Sequence, residues 1–464
     1  MSPLRAGAVV LAVLLWSAGV AGCRGASAPA TAPPIAPAPT IVSTPPSAPT
    51  PSASKPSARP RAAPRAVIVQ SGERVLEISL DSATVREVLR APPDLVFPGE
   101  YYPAYTASPD GTRLAYGCGD DGSYQRAASA VCLTGPDGSL APPVVQPDDL
   151  ERPGQLVPAQ GSTTAFGWSP DGRRIAFHVR PHPLQPDRYP SDVYVYDFDS
   201  GSTRRVLDGG VDERWGAVTW SPDGARLAAQ RLPDGPASEL VLVDVTTGDR
   251  VDAAARLRLQ AVQTNVSWSP DGAAIAFVGW DGDGPSSVYV ASRDGTARKV
   301  ADDQRAYWEP MVWSPDGEWI AVSLGDGTPP DPNAPFSNSR VYAVRADGTE
   351  RRALGDGITE SSYPAWAPDG QHLVLSGSEA DGSGLFVVSL SGGEARPIGR
   401  RTKTSYPWLV AWTPDATRVL LTVGGVCFRG GCAGGRLYLA EVDGDPAPRE
   451  IASVPIDRVL GWRL

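Results

Sequence analysis

Histidine and cysteine are scarce in this chain. There are 3 histidines and 5 cysteines in 464 residues, and aromatic residues make up only 8 %. A metal site built mainly from histidine is therefore hard to assemble. His178 and His182 are four apart, but Pro181 and Pro183 exclude the helix face that pairs two ligands at that spacing. His372 lies beside a turn and is expected to be solvated. No stretch past residue 25 carries a sustained helical apolar stripe, which argues against a helical bundle. Excess positive charge is missing too. The net charge of −10 argues against a nucleic-acid footprint. The nucleophile-elbow pattern G-x-S-x-G is not found, because Gly167-Trp168-Ser169-Pro170-Asp171 fails at its last position. Asp281-Gly282-Asp283-Gly284 begins like a calcium loop, but Ser292 stands where the bidentate glutamate belongs. No cofactor is expected.

What the chain has in quantity is turns, with 49 glycines and 48 prolines. Many of them fall in one repeated unit, Trp168-Ser169-Pro170-Asp171-Gly172 followed by Ile175-Ala176-Phe177. Close copies begin at Ser108, Ser221, Ser269, Ser314, Ala367 and Thr413, and their aspartates stand 45 to 61 residues apart. Ser-Pro-Asp-Gly suits a type I turn, because proline presets φ at the second position and serine and glycine suit the first and fourth. The turn joins a short stretch ending in tryptophan to an apolar run such as Ile275-Ala276-Phe277-Val278. That run is apolar on both faces, so both faces of its sheet must be covered. A third strand such as Val193-Tyr194-Val195-Tyr196 follows, then a more polar fourth such as Thr203-Arg204-Arg205-Val206-Leu207. Four strands per 40 to 50 residues, stacked on both faces, describe a propeller blade.

The W-S-P-D-G-x-x-[IL]-A unit, over roughly residues 100–464, resembles the WD40-like PD40 repeat of TolB-like β-propellers. The resemblance implies an all-β closed propeller and leaves function open. Residues 66–89 read as the second, third and fourth strands of a repeat without its first. Asp457-Arg458-Val459-Leu460-Gly461-Trp462 reads as a repeat start truncated at its tryptophan. The C-terminal strand would then complete the N-terminal blade and close a ring of eight blades, with seven as the alternative. The domain so defined runs from 66 to 464.

Residues 1–22 have the build of an export signal, and Val20-Ala21-Gly22-Cys23 resembles a lipobox that would lipidate Cys23. Residues 23–65 are mostly Ala, Pro, Ser and Thr and are expected to be a disordered tether. The expected location is outside the cytoplasmic membrane, anchored by N-terminal lipid, in the periplasm or on either envelope membrane. Export permits disulfides, and the local pairs Cys118–Cys132 and Cys427–Cys432 are expected.

One constellation could bind. Aromatic residues gather just before the first strands, among them Tyr102, Trp215, Trp308, Tyr363 and Trp408, with Glu309 alongside. In a propeller these positions converge on the mouth of the central channel, on the face opposite the Ser-Pro-Asp-Gly turns. They suit docking of an envelope protein, a peptide or a glycan; blade-to-blade packing is the plainer role for the same rings. Propellers also resemble the non-catalytic part of prolyl-oligopeptidase-like enzymes, but the repeats here run to the last residue and leave no room for a hydrolase domain. Pectin-degrading propeller lyases resemble the architecture and use histidine-rich metal sites. The expectation is a non-catalytic binding or scaffolding lipoprotein of the bacterial envelope. A glycan lyase or hydrolase using the channel, or a sensory propeller, is the alternative.

Overall fold

The computed structural model describes residues 63–463 except for segments between strands, the longest being 91–104, 119–129, 135–142, 156–165, 182–191 and 326–338. Every described residue belongs to one compact unit, residues 55–464. Cys23, Tyr102, Trp308 and Glu309 lie outside the described residues. Among the described residues no helix is long and apolar enough to cross a membrane.

Eight four-stranded blades make a ring. Blade one takes its first strand from the C-terminus, Arg458–Arg463, followed by Ala66–Ser71, Arg74–Ser79 and Val85–Arg90. Blade two shows Tyr105–Ala107, Leu114–Cys118 and Ala130–Leu133, with Val145 bridging to Val131 where a fourth strand belongs. Blade three begins at Phe166–Trp168, blade four at Glu213–Trp220 and blade five at Ala261–Trp268. Blade six begins at Val312–Trp313, blade seven at Thr359–Trp366 and blade eight at Trp408–Trp412. Within each blade neighbouring strands pair antiparallel in chain order, apart from the C-terminal strand and the short strand Gly154–Gln155, which pairs with the second strand of blade three. A separate hairpin, Val426–Phe428 with Gly431–Ala433, is inserted in blade eight.

The core sits between the blades. Eight buried apolar clusters each combine side chains of two adjacent blades, one cluster per junction. One of them joins Val67, Val69 and Ile78 of blade one to Leu420, Leu437 and Ile451 of blade eight, so the circle is complete. Second strands such as Ile175-Ala176-Phe177 are buried on both faces, because each sheet is sandwiched by its neighbours.

Two hydrogen bonds recur at the junctions. Near the axis, the tryptophan of a blade donates Nε1–H to a backbone carbonyl of the preceding first strand. Trp168 reaches Thr106, Trp220 reaches Gly167, Trp313 reaches Ser267, Trp366 reaches Val312 and Trp412 reaches Ala365, at 2.7 to 3.1 Å. Trp therefore satisfies its own polar atom while filling the junction, which explains its place in the repeat. At the rim, a fourth-strand arginine donates to the third-to-fourth turn of the next blade. Arg204 reaches the carbonyls of Val245 and Thr246, Arg298 reaches Ala346 at 2.8 Å and Arg352 reaches Leu390 at 3.3 Å. Arg396 binds Asp443 Oδ1 at 2.8 Å, and Arg449 of blade eight reaches the carbonyls of Leu80 and Asp81 in blade one.

The repeated turn is built as its composition requires. The Ser or Thr hydroxyl donates to Oδ1 of the aspartate two residues on, at 2.5 to 2.7 Å in six copies. The closing glycines have φ between 64° and 74°, a region that costs a side chain. Ala416 takes that position in the last copy, at φ 61°. Ala416→Gly is expected to stabilise the protein by about 0.5–1 kcal/mol, since the relief of left-handed strain exceeds the entropy that glycine adds to the unfolded chain. A rise in the urea midpoint at constant slope checks it.

Cys132 is disulfide-bonded. Cys118 stands on the adjacent strand opposite Ala130, one diagonal step from Cys132. Cys427 faces Cys432 directly across the inserted hairpin.

Candidate functional site: the loop-side mouth of the ring

Each blade's first strand lies at an edge of its sheet, and successive first strands touch one another around the axis. An edge strand carries a row of backbone N–H and C=O groups that its own sheet does not use. Such rows, one from each blade, therefore face the central channel. Tryptophan Nε1 groups occupy five of the carbonyls, all near the Ser-Pro-Asp-Gly face.

The other half of the first strands is less regular. Register shifts interrupt them between Trp215 and Val218, between Val262 and Val266, twice between Thr359 and Ala365, and between Leu409 and Ala411. Bulges bend a strand and turn its side chains to new directions. Tyr363 sits within the shifted part of blade seven at φ 50°, half-buried. A non-glycine residue held there signals a backbone fixed by its surroundings.

The candidate aromatics do not form one exposed cluster. Trp215 is only 5 % exposed and packs into the core between blades three and four, so its ring is a packing element, as the plainer reading had it. Tyr363 is the half-buried ring that the described residues bring to the first strands' loop-side half. Trp408 starts the first strand of blade eight, opposite Thr422.

A ring of polar side chains was missed. At one register position of the apolar second strands stand Gln70, His178, Gln230, Ser323, Ser376 and Thr422 in six of the blades. Two of these act across a junction. Gln230 Nε2 donates to the carbonyl of Val262 at 2.7 Å, and Gln70 Oε1 accepts from the amide of Ala107 at 3.4 Å. Ser238 adds two bonds at Val262, accepting from its N–H at 2.8 Å and donating to its carbonyl at 2.7 Å. Val262 is where the first strand of blade five leaves its register, so these side chains satisfy backbone groups that the bulge frees. One polar residue at a fixed place in each apolar run was the available signal.

Charges at the loop-side strand ends are paired. Asp192, 1 % exposed, accepts from the amide of Gly209 at 2.8 Å and lies 3.5 Å from Arg205. Arg231 meets Glu239 at 3.0 Å, and Lys299 meets Asp302 at 3.0 Å. His178 is buried, and His182 lies outside the described residues. His372 is solvent-exposed as expected, with 43 % of its side chain accessible, and it also meets Asp369 Oδ2 through Nδ1 at 2.7 Å. Among the described residues no group of three or more His, Cys, Asp or Glu is placed to hold a metal.

Residues 149–329 match the PD40 family, the TolB β-propeller domain. The chain is 27 % identical over 243 residues to the uncharacterized peptidase YuxL of Bacillus subtilis, covering 46 % of this chain and 29 % of that one. It is 37 % identical over 95 residues to the immune protein Tsi1 of Pseudomonas aeruginosa, covering 20 % of this chain and 54 % of that one. It therefore spans about a third to a half of the length of these curated relatives. Dipeptidyl peptidase 4 of Porphyromonas gingivalis superposes with a TM-score of 0.55 at 12 % identity, over 84 % of this chain and 60 % of that one, a likeness of fold. The peptidase among these relatives overturns the expectation that the protein is not an enzyme.

Proposed function

On the premise that this chain is a TolB-like propeller repeat protein, we propose that it works in peptide hydrolysis, admitting an extended peptide to the central channel. The observation that carries this reading is the inward edge of each first strand at the loop-side mouth. An extended peptide pairs with such edges through its main chain, which makes recognition tolerant of sequence and intolerant of folded substrates. Tyr363 supplies a half-buried aromatic contact beside those edges. The peptidase relative favours hydrolysis over the other enzymatic class, lyase chemistry. Export and a lipid on Cys23 would place the reaction outside the cytoplasmic membrane.

Fluorescence polarisation of labelled unstructured peptides with the full chain tests the proposal, followed by mass spectrometry of the same peptides for cleavage. Unstructured peptides should bind at least about tenfold more tightly than a small folded protein of equal charge. Tyr363→Ala should weaken that binding about tenfold without moving the urea midpoint. Absence of both binding and cleavage would remove the proposal.

A further inference from the structure

Two buried hydroxyls enter one junction from opposite blades. Ser71 is 2 % exposed and Thr422 is 1 % exposed, and neither oxygen has a protein hydrogen-bond partner among the described residues. Their directions follow from register. Ser71 shares a face with Val67 and Val69, which pack towards blade eight. Thr422 stands opposite Leu437 and two residues from Leu420, which pack towards blade one. Ser71 is the last residue of its second strand and Thr422 the last but one of its own, both on the loop side. They therefore enter the same space from opposite walls, above the apolar cluster of the blade eight–blade one junction. A buried hydroxyl without a partner forgoes its water bonds and gains nothing in return.

This junction is also the seam, where the strand Arg458–Arg463 is brought from the far end of the chain. That strand shifts register between Ile68 and Val69, close to the two hydroxyls. The unfavourable groups and the ladder irregularity thus coincide at one end of one junction. When this end parts, both hydroxyls regain water, so opening is less costly here than where polar atoms are satisfied. Ser323 offers the contrast. It holds the register position of Thr422 in blade six, is buried, and is engaged in interactions.

We infer that the ring is latched at the loop-side end of the blade eight–blade one seam, and that this end opens locally before any other junction. Local opening of this kind is read by amide hydrogen exchange. In the full chain, peptides covering 66–71, 418–423 and 458–463 should exchange faster than those covering 274–280 and 319–325. Thr422→Val keeps the shape and removes the unsatisfied group. It should slow exchange at the seam by about fivefold or more and leave blades five and six unchanged. Ser71→Ala should act in the same direction, whereas Ser323→Ala should give no such protection. Uniform exchange across the blades would overturn the inference, as would faster seam exchange in Thr422→Val.

Discussion

Removing residues 458–464 is expected to abolish the cooperative fold. The deleted strand pairs with Ala66–Ser71, all six residues of which are buried, and the amide of Arg65 donates to the carbonyl of Arg463 at 2.7 Å. Leu460 packs into the blade one–blade two cluster, while Val459 and Trp462 pack into the blade eight–blade one cluster. Truncation therefore weakens two junctions and bares an apolar strand edge, which is a template for aggregation. Ladder hydrogen bonds contribute roughly 1 kcal/mol each. The lost apolar contacts add about 1.5–3 kcal/mol per large side chain if fully buried, and less here because all three are only partly buried. The sum is on the order of 5–10 kcal/mol, comparable with the whole stability of an ordinary domain. Size-exclusion chromatography should show aggregates in place of a monodisperse peak. Any remaining monomer should unfold in urea with a lower midpoint and a smaller slope. A synthetic peptide with the sequence of residues 458–464 should recover part of the native signal. A truncated protein with an unchanged midpoint would mean that the seam strand does not hold the ring.

The parts of this architecture that could be read beforehand are the local ones. Ser-Pro-Asp-Gly closes on itself within six residues, so its composition carries its geometry, and seven copies fix the period. Trp462 betrayed the split blade because it ends a first strand that has no turn after it. The junctions were harder to read, because their contacts join residues about 40 to 60 apart in the chain. Trp215 reads as a channel-mouth ring because it stands just before the expected first strand, yet that strand begins at Glu213 and the bulge after Trp215 sets the ring in the core between blades three and four. Gln230 was hidden in the run Leu227-Ala228-Ala229-Gln230, where one polar residue looks incidental until Val262 of the next blade is seen to need it. Arg204 stands in a strand that the sequence marks only as polar, and its carbonyl partner, like that of Arg298, belongs to the next blade. The proposal of peptide hydrolysis rests on no local pattern in the described residues; it comes from a relative, YuxL, of which this chain covers less than a third.

Acid should unfold this protein steeply, and from one face. Five of the repeated turn aspartates, Asp110, Asp171, Asp223, Asp369 and Asp415, are shifted the same way. Partial burial alone would raise them, but hydrogen bonds from the Ser or Thr hydroxyl or His372, and from backbone amides, hold them below the usual carboxylate value. In the third-to-fourth turns, Asp197 and Asp244 are lowered chiefly by backbone amides of Ser200 and Thr247. Asp294 is lowered to about 2, first by the Ser292 hydroxyl. A carboxylate whose folded pKa is depressed stabilises the fold fully above its unfolded pKa, near 3.9, and loses that contribution as pH falls through the folded value. The window thus opens near pH 4 and extends to about pH 2. Solvent screening keeps each of the five repeated aspartates below about 1 kcal/mol, so together they contribute on the order of a few kcal/mol. The urea midpoint should stay level from pH 7 to 5 and then fall, with more than one proton taken up on unfolding. Asp171→Asn should lower the midpoint at pH 7 and lower it less at pH 3, below the ordinary carboxylate value, where the contribution of the depressed carboxylate is being lost. A midpoint that falls equally at both pH values would show that Asp171 acts through its shape in the turn and not through its charge.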